Sequence, residues 1–216
     1  MFQNREEAGL LIANKLKEYR DKNKTVVLAI PRGGVIVGRQ IANELRLPLD
    51  IIIVKKISAP NNPELAIGAI APSNVKYIDW DLVLRVGAEQ EYLDEEIKRK
   101  QKEIEEKEKK FLMRSNLLGG STSLEDKKII ILVDDGIATG ATVLAAIKYI
   151  KQTTNNQKLI TILAVPVIAE DAYNRIKSEV DRIIALEVPE SFGAVGEFYE
   201  EFPQVSDEEV VSILSS

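Results

Sequence analysis

The chain has 216 residues, 45% apolar and 29% charged, with a formal net charge of −5, the profile of an ordinary globular domain with one sizeable core. It contains no cysteine and no histidine, which excludes a disulfide scaffold, a thiolate nucleophile, a Cys/His zinc site and histidine acid–base catalysis. Lys and Glu are interspersed, which argues against a nucleic-acid face, and no apolar run nears the roughly 18 residues of a membrane span.

The opening MFQNREEAG places charges ahead of any apolar run, unlike a signal peptide, so the chain is expected to be cytoplasmic. From Arg5 to Tyr19, the residues Leu11, Ile12, Leu16 and Tyr19 fall at helical spacing and predict a first helix. Next comes VVLAI (26–30), the first of five short, nearly uninterrupted apolar runs; the others are DIIIV (50–54), IIILV (129–133), LITILAV (159–165) and RIIALEV (182–188). Runs without alternation read as strands buried on both faces, as in a parallel sheet. Helical patterns at 34–46, 141–152 and 169–180 separate them. This alternation predicts a single α/β domain with a doubly wound, mainly parallel, five-stranded sheet.

Residues 60–124 interrupt the rhythm. ELAIGAIAP and VKYID suggest an antiparallel pair around a Pro-Ser-Asn turn. A long charged helix follows over 88–113, with Glu95–Arg99, Glu96–Lys100, Glu103–Lys107 and Glu106–Lys110 in the favourable i, i+4 order, each pair contributing ~0.3–0.5 kcal/mol. Its apolar residues Leu93, Ile97, Ile104 and Phe111 make only a thin stripe. A mostly solvated arm is the reading, with a dimer contact or a lid as alternatives. LLGGSTSLEDKK (117–128) reads as a flexible return to the sheet.

The third apolar run continues into ILVDDGIATGAT (131–142). In open α/β sheets ligands bind beyond the carboxyl ends of strands, and Asp134 and Asp135 stand at such an end. Adjacent carboxylates repel and are costly to desolvate, so the pair suits hydroxyl groups or a hydrated divalent cation. The small residues Gly136 to Thr142 let backbone N–H groups converge at a helix start, a ready anion site, and Thr139 and Thr142 add hydroxyls. Diol below and phosphate above describe a ribose 5-phosphate. The loop lacks the lysine of GxxxxGK[ST], and GGVIVG at 33–38 does not fit GxGxxG.

These residues resemble the phosphoribosyl diphosphate (PRPP) signature of the type I phosphoribosyltransferases. The stretches FQNREEAGLLIANKL, VLAIPRGGVIVG, DIIIVKKISAPNNPELAIGAI and PESFGAVGEFYEEFPQVSDEEV resemble a bacterial and archaeal subgroup of that family. The resemblance implies that Asp134 and Asp135 hold the ribose hydroxyls, directly or through Mg²⁺-bound water. It implies that Gly136, Ile137, Ala138, Thr139, Gly140, Ala141 and Thr142 cradle the 5′-phosphate. PRGG matches the family's pyrophosphate loop, often strained or cis. There Gly33 and Gly34 admit close approach to a ligand, and Arg32 supplies a bidentate donor. Lys55 and Lys56 follow the second strand, and alternation along an extended chain aims one of them at pyrophosphate.

For the acceptor, a hood over 189–203 carries Phe192, Phe198, Tyr199 and Phe202, with Gly193 and Gly196, as a stacking platform for a nucleobase; the alternative is an aromatic flap packed on the core. Phe2 and Arg5 are further hood candidates. The expected activity is Mg²⁺-dependent phosphoribosyl transfer from PRPP to a nucleobase, purine over pyrimidine by family frequency, in a homodimer. A PRPP- or nucleotide-sensing regulatory protein on the same fold and a scaffold acting through the charged helix are the competing readings. The closing element is expected between the second and third strands or in the charged helix.

Overall fold

The computed structural model describes residues 1–115, 124–154 and 158–215, with side chains left undescribed from 112 to 115. Of the return segment 117–128, the part up to residue 123 lies outside the described residues. The strands are β1 (Thr25–Ala29), β2 (Leu49–Ile51), β3 (Lys55–Ala59), β4 (Asn62–Ile70), β5 (Lys76–Ile78), β6 (Ile129–Val133), β7 (Ile160–Val167) and β8 (Arg182–Glu187). The helices are α1 (Arg5–Lys15), α2 (Gly33–Leu45), α3 (Trp80–Val86), α4 (Gln90–Ser115), α5 (Ala141–Thr154), α6 (Glu170–Ile176) and α7 (Asp207–Leu214).

The central sheet runs β2-β1-β6-β7-β8 with every neighbour parallel. All residues of β1 and β6 are buried, the result of Ile and Val runs covered on both faces. Side chains alternate across such a sheet. Val27, Ala29, Ile131 and Val133 join a core with Ile12 and Leu16 of α1 and Val37, Ile41 and Leu45 of α2. Val26, Leu28, Ile130 and Leu132 join the opposite core with Ala145, Ala146 and Ile150 of α5 and Ile176 of α6. The last crossover helix is shorter than the pattern at 169–180 suggests: α6 stops at Ile176, and residues 177–181 turn back so that the Asp181 amide reaches the Thr161 carbonyl.

Two further differences concern the insertion. The second apolar run does not stay in the central sheet, since β2 ends at Ile51 and the chain leaves through buried Ile52, Ile53 and Val54 into β3. Strand β3 pairs with β4, and β4 with β5, in a separate antiparallel sheet whose tip holds Pro72–Asn74. The long helix α4 is not a solvated arm. Leu93, Ile97, Ile104 and Phe111 are all at most 8% exposed and belong to the core of α1 and α2. The narrow stripe suffices because α4 lies in a trough between β3 and α7. Lys107 and Lys110 accordingly reach Asp207 at 3.0 and 3.3 Å rather than the carboxylates one turn back, and Arg99 pairs with Glu96 at 2.6 Å.

The segment ahead of α1 is joined to residues 198–201. The amide of Phe2 donates to the Phe198 carbonyl (2.8 Å), and the amides of Glu200 and Glu201 donate to the carbonyls of Phe2 and Gln3 (2.8 and 2.9 Å). The junction covers Phe2, Ala8 and Tyr199 in a small separate core.

Candidate active site

Three loops meet at the carboxyl ends of the central strands and enclose a cavity of about 650 Å³. The loop after β1 contributes Pro31, Arg32 and Gly33; the segment entering β3 contributes Lys55 and Lys56; the loop after β6 contributes Asp134 to Gly140 and Thr142. Arg5 from α1, Lys107 from α4, and Val195 and Phe202 complete the wall. Five cationic side chains thus surround two carboxylates, the charge balance of a polyanion site.

The loop after β6 is held from below and open above. Ile137 donates its amide to the Val167 carbonyl and accepts from Ala169, both at 2.9 Å, which ties the loop to the end of β7. Gly140 turns the chain into α5 with φ +80°, a left-handed conformation, while an added Cβ would meet Ile176 Cδ1 at 3.0 Å. Among the described residues, the N–H groups of Ala138, Thr139, Gly140 and Ala141 find no backbone acceptor. They stand at the start of a 14-residue helix, where unpaired N–H groups and the helix dipole together favour an anion.

The acidic pair and the PRGG loop are in direct contact. The Pro31–Arg32 peptide is cis, and Arg32 precedes α2. Gly33 lies so close to the Asp135 carboxylate that an added Cβ would fall 1.8 Å from Oδ2. Asp135 Oδ2 accepts from Arg5 Nε at 2.7 Å in an ion pair whose side chains are only 6% and 16% exposed. Arg5 is set at the start of α1 by the Asn4 side chain, which caps the helix by accepting from the Glu7 amide at 2.9 Å. Arg5 also donates through Nη1 to the Pro203 carbonyl at 2.8 Å and lies 3.7 Å from the centroid of the Phe202 ring.

Desolvation, and then the charge of Asp135, push the Asp134 carboxyl well above the usual carboxylate range, while Lys56 opposes the shift. Asp134 Oδ1 accepts from the Asp135 amide at 2.9 Å. Burial, followed by the Asp135 charge, raises the Tyr199 phenol, which therefore stays protonated and donates to the Asp135 carbonyl at 2.6 Å.

Of the predicted site residues, the cavity wall brings together Arg32, Gly33, Lys55, Lys56, Asp134, Asp135, Gly136, Ile137, Ala138, Thr139, Gly140 and Thr142. Gly34 and Ala141 stand behind it: a Cβ on Gly34 would press on the Asp134 backbone at 2.9 Å, and Ala141 is buried at the first position of α5. Both lysines reach the wall, where alternation predicted one; they are the first two residues of β3, directly after the segment that leaves the central sheet. Lys55 is held by Glu103 of α4 at 3.1 Å.

The predicted platform is placed differently. Phe192 and Phe198 stack on each other at 5.3 Å outside the wall, and Tyr199 is 5% exposed against Phe2. Its burial follows from the junction of residues 2–3 with residues 198–201. Sequence reasoning missed Val195 and Lys107. The tie of Lys107 to Asp207 spans 100 residues, and only the clustering of Lys on one turn of the helix hints at it.

The phosphoribosyl transferase domain model matches residues 2–201. Two strains of Mycobacterium tuberculosis carry a protein, named provisionally as a phosphoribosyl transferase, that is 35% identical over 217 residues covering 99% of this chain. The chain spans about half the length of these curated relatives, 46% in each case. A crystal structure of a Thermus thermophilus protein is 35% identical, superposes with a TM-score of 0.76 and covers 99% of this chain and 97% of its own. No helix among the described residues is long and apolar enough to cross a membrane.

Proposed function

Since the chain belongs to the phosphoribosyl transferase domain family, we propose that it moves the 5-phosphoribosyl group of PRPP onto a nucleobase, a purine by preference, and releases pyrophosphate. One observation carries this reading: a single cavity joins an acidic pair, an open helix N-terminus and a set of cations, the groups that one sugar with phosphate at both ends requires. The 5′-phosphate takes the amides of residues 138–141 and the hydroxyls of Thr139 and Thr142. The ribose diol lies against Asp134 and Asp135. Pyrophosphate meets Arg32, the Gly33–Gly34 backbone, Lys55, Lys56 and Lys107.

In the transfer, the C1–O bond breaks with its electron pair leaving on pyrophosphate, as positive charge grows on the ring. A ring nitrogen of the acceptor supplies the pair for the new C1–N bond, and its proton passes to pyrophosphate or water. Arg32 and the lysines stabilise the departing charge in a site that costs no reorganisation. Asp134 and Asp135 face the cationic ring. Holding both ends of the donor orients C1 for attack.

The acidic pair fits Mg²⁺ of the kind shared with a substrate. Its donors are hard oxygens, and burial raises one carboxyl with Lys56 opposing the shift only in part. Among the described residues no cluster of three or more carboxylates forms a complete cage, which suits an ion that keeps waters and substrate oxygens. When bound, it would supply charge neutralisation between diol and pyrophosphate.

The test is pyrophosphate release from PRPP with Mg²⁺ across a panel of purines and pyrimidines, with Asp135→Asn as control. Release with one base, lost in the control, is the expected result. Saturable PRPP binding without release above hydrolysis for any base would favour a sensor instead.

A further inference from the structure

The wall of the cavity on the hood side raises a question that the phosphate chemistry does not answer. Phe202 is the one aromatic ring among the residues of that wall, and its face is already taken by the Arg5 guanidinium, 3.7 Å from the ring centroid. The other hood aromatics are engaged elsewhere, Phe192 with Phe198 and Tyr199 with Phe2. Within the wall a base therefore meets no aromatic ring apart from the Arg5–Phe202 stack. What the wall offers in its place is Arg5 itself, 5% exposed and part of the lining.

A guanidinium carries five N–H donors and no acceptor. Arg5 spends one on Asp135 and one on the Pro203 carbonyl, and the rest have no partner among the described residues. A buried cation with unspent donors is costly unless a ligand or water completes them. Its plane is fixed at three points, by Asp135, Pro203 and Phe202, so the unspent donors keep a set direction, as recognition of a planar edge requires.

Resting on the reading of this cavity as a PRPP site, we infer that Arg5 selects the acceptor: the ring presents an oxo or carboxylate edge to the free N–H groups of Arg5, and an amino-substituted ring is rejected. An exocyclic amine brings donors against donors and leaves the guanidinium unsatisfied, whereas a carbonyl or carboxylate oxygen completes it. Sites that hydrogen-bond one exocyclic group discriminate strongly against analogues lacking it. The contact also links the acceptor to the ribose, because the same guanidinium clamps Asp135 at 2.7 Å.

The experiment measures equilibrium binding of hypoxanthine against adenine, and of uracil and orotate against cytosine. It uses the full chain with saturating ribose 5-phosphate, pyrophosphate and Mg²⁺, and repeats the series as pyrophosphate release from PRPP. In at least one pair the oxo or carboxylate ring should bind roughly 10- to 100-fold tighter. In Arg5→Met that preference should fall to within about 3-fold, and Arg5→Lys, which keeps a charge for Asp135 but loses the planar fork, should retain part of it. Selective binding without release would leave this inference standing while overturning transfer. Adenine and cytosine each bound as tightly as their partners, a preference that survives Arg5→Met, or PRPP binding with no ring bound at all would overturn the inference alone. Absence of PRPP binding by the unaltered chain would overturn both.

Discussion

One methyl group at position 33 probes the contact on which the site is built. An ideal Cβ on Gly33 falls 1.8 Å from Asp135 Oδ2, 2.4 Å from its Cγ and 2.8 Å from Arg5 Nε. Carbon and oxygen settle no closer than roughly 3.3 Å, so in Gly33→Ala the carboxylate must retreat by well over about 1 Å. It cannot retreat alone, because Oδ2 is held by Arg5 at 2.7 Å and the Asp135 carbonyl by Tyr199 at 2.6 Å. Overpacking of this kind costs about 1–3 kcal/mol, and stretching a hydrogen bond between charged groups forfeits about 1.5–3 kcal/mol more. At about 2–4 °C per kcal/mol for a chain of this length, the melting temperature should fall by roughly 5–20 °C. PRPP affinity should fall at least about 10-fold. Differential scanning calorimetry and PRPP titration of Gly33→Ala are compared with Gly87→Ala, where the added Cβ meets nothing within 4 Å. The control should lose about 1–2 kcal/mol to its φ of +64° and keep its PRPP affinity. A Gly33→Ala protein that melts within about 2 °C of the parent and binds PRPP unchanged would refute the reasoning.

Phe111→Ala should destabilise the chain by about 3–5 kcal/mol in urea unfolding, because the ring is 2% exposed in the core beneath α4; a loss under about 0.5 kcal/mol would return α4 to a solvated arm. Lys107→Ala should weaken pyrophosphate binding about 10-fold and flatten its salt dependence, while Lys102→Ala, on a side chain 79% exposed, should leave both unchanged; equal effects would remove Lys107 from the site. Burial alone would raise the Asp207 carboxyl, but the hydrogen bonds and charges of Lys107 and Lys110 outweigh it and hold the group below its ordinary value. Its contribution is therefore complete above the unfolded aspartate value of about 3.9 and is lost as pH falls through the lower folded value. Lys107 and Asp207 are 26% and 20% exposed, so their pair contributes only about 0.2–1 kcal/mol, less in salt. The melting-temperature gap between the parent and Asp207→Asn should shrink below about pH 4, and a gap that widens in acid would contradict the assignment.

The strands of the central sheet were legible because each is a run of Ile, Val and Leu without polar alternation, a pattern that only burial on both faces tolerates. The loop from Asp134 to Thr142 was legible for a related reason, since acidic and small residues directly after such a run have few structural uses. The path of the second run was not. DIIIV is continuous in sequence, yet only Ile51 and its two predecessors pair in the sheet while Ile52 to Val54 lead away from it. Periodicity registers burial and is blind to which sheet provides it. Helix α4 misled in the opposite direction, because a stripe of four apolar residues is thin for a helix packed on one surface and adequate for one lying in a trough. Tyr199 fits an exposed platform and a buried strut equally well by residue type. The hydrogen bonds between residues 2–3 and 198–201 decide between them, and a pairing across nearly the whole chain leaves no local signature.

That junction also fixes the order in which a growing chain acquires its parts. Synthesis delivers Arg5 ahead of every strand of the sheet, whereas the Phe202 ring and Pro203 carbonyl that orient it, and the Asp207 that holds Lys107, emerge after β8 has ended at Glu187. Every strand of the sheet is thus available to pair before the cavity has all its walls. The residues that orient Arg5 and anchor Lys107 are therefore among the last of the cavity's parts to be made.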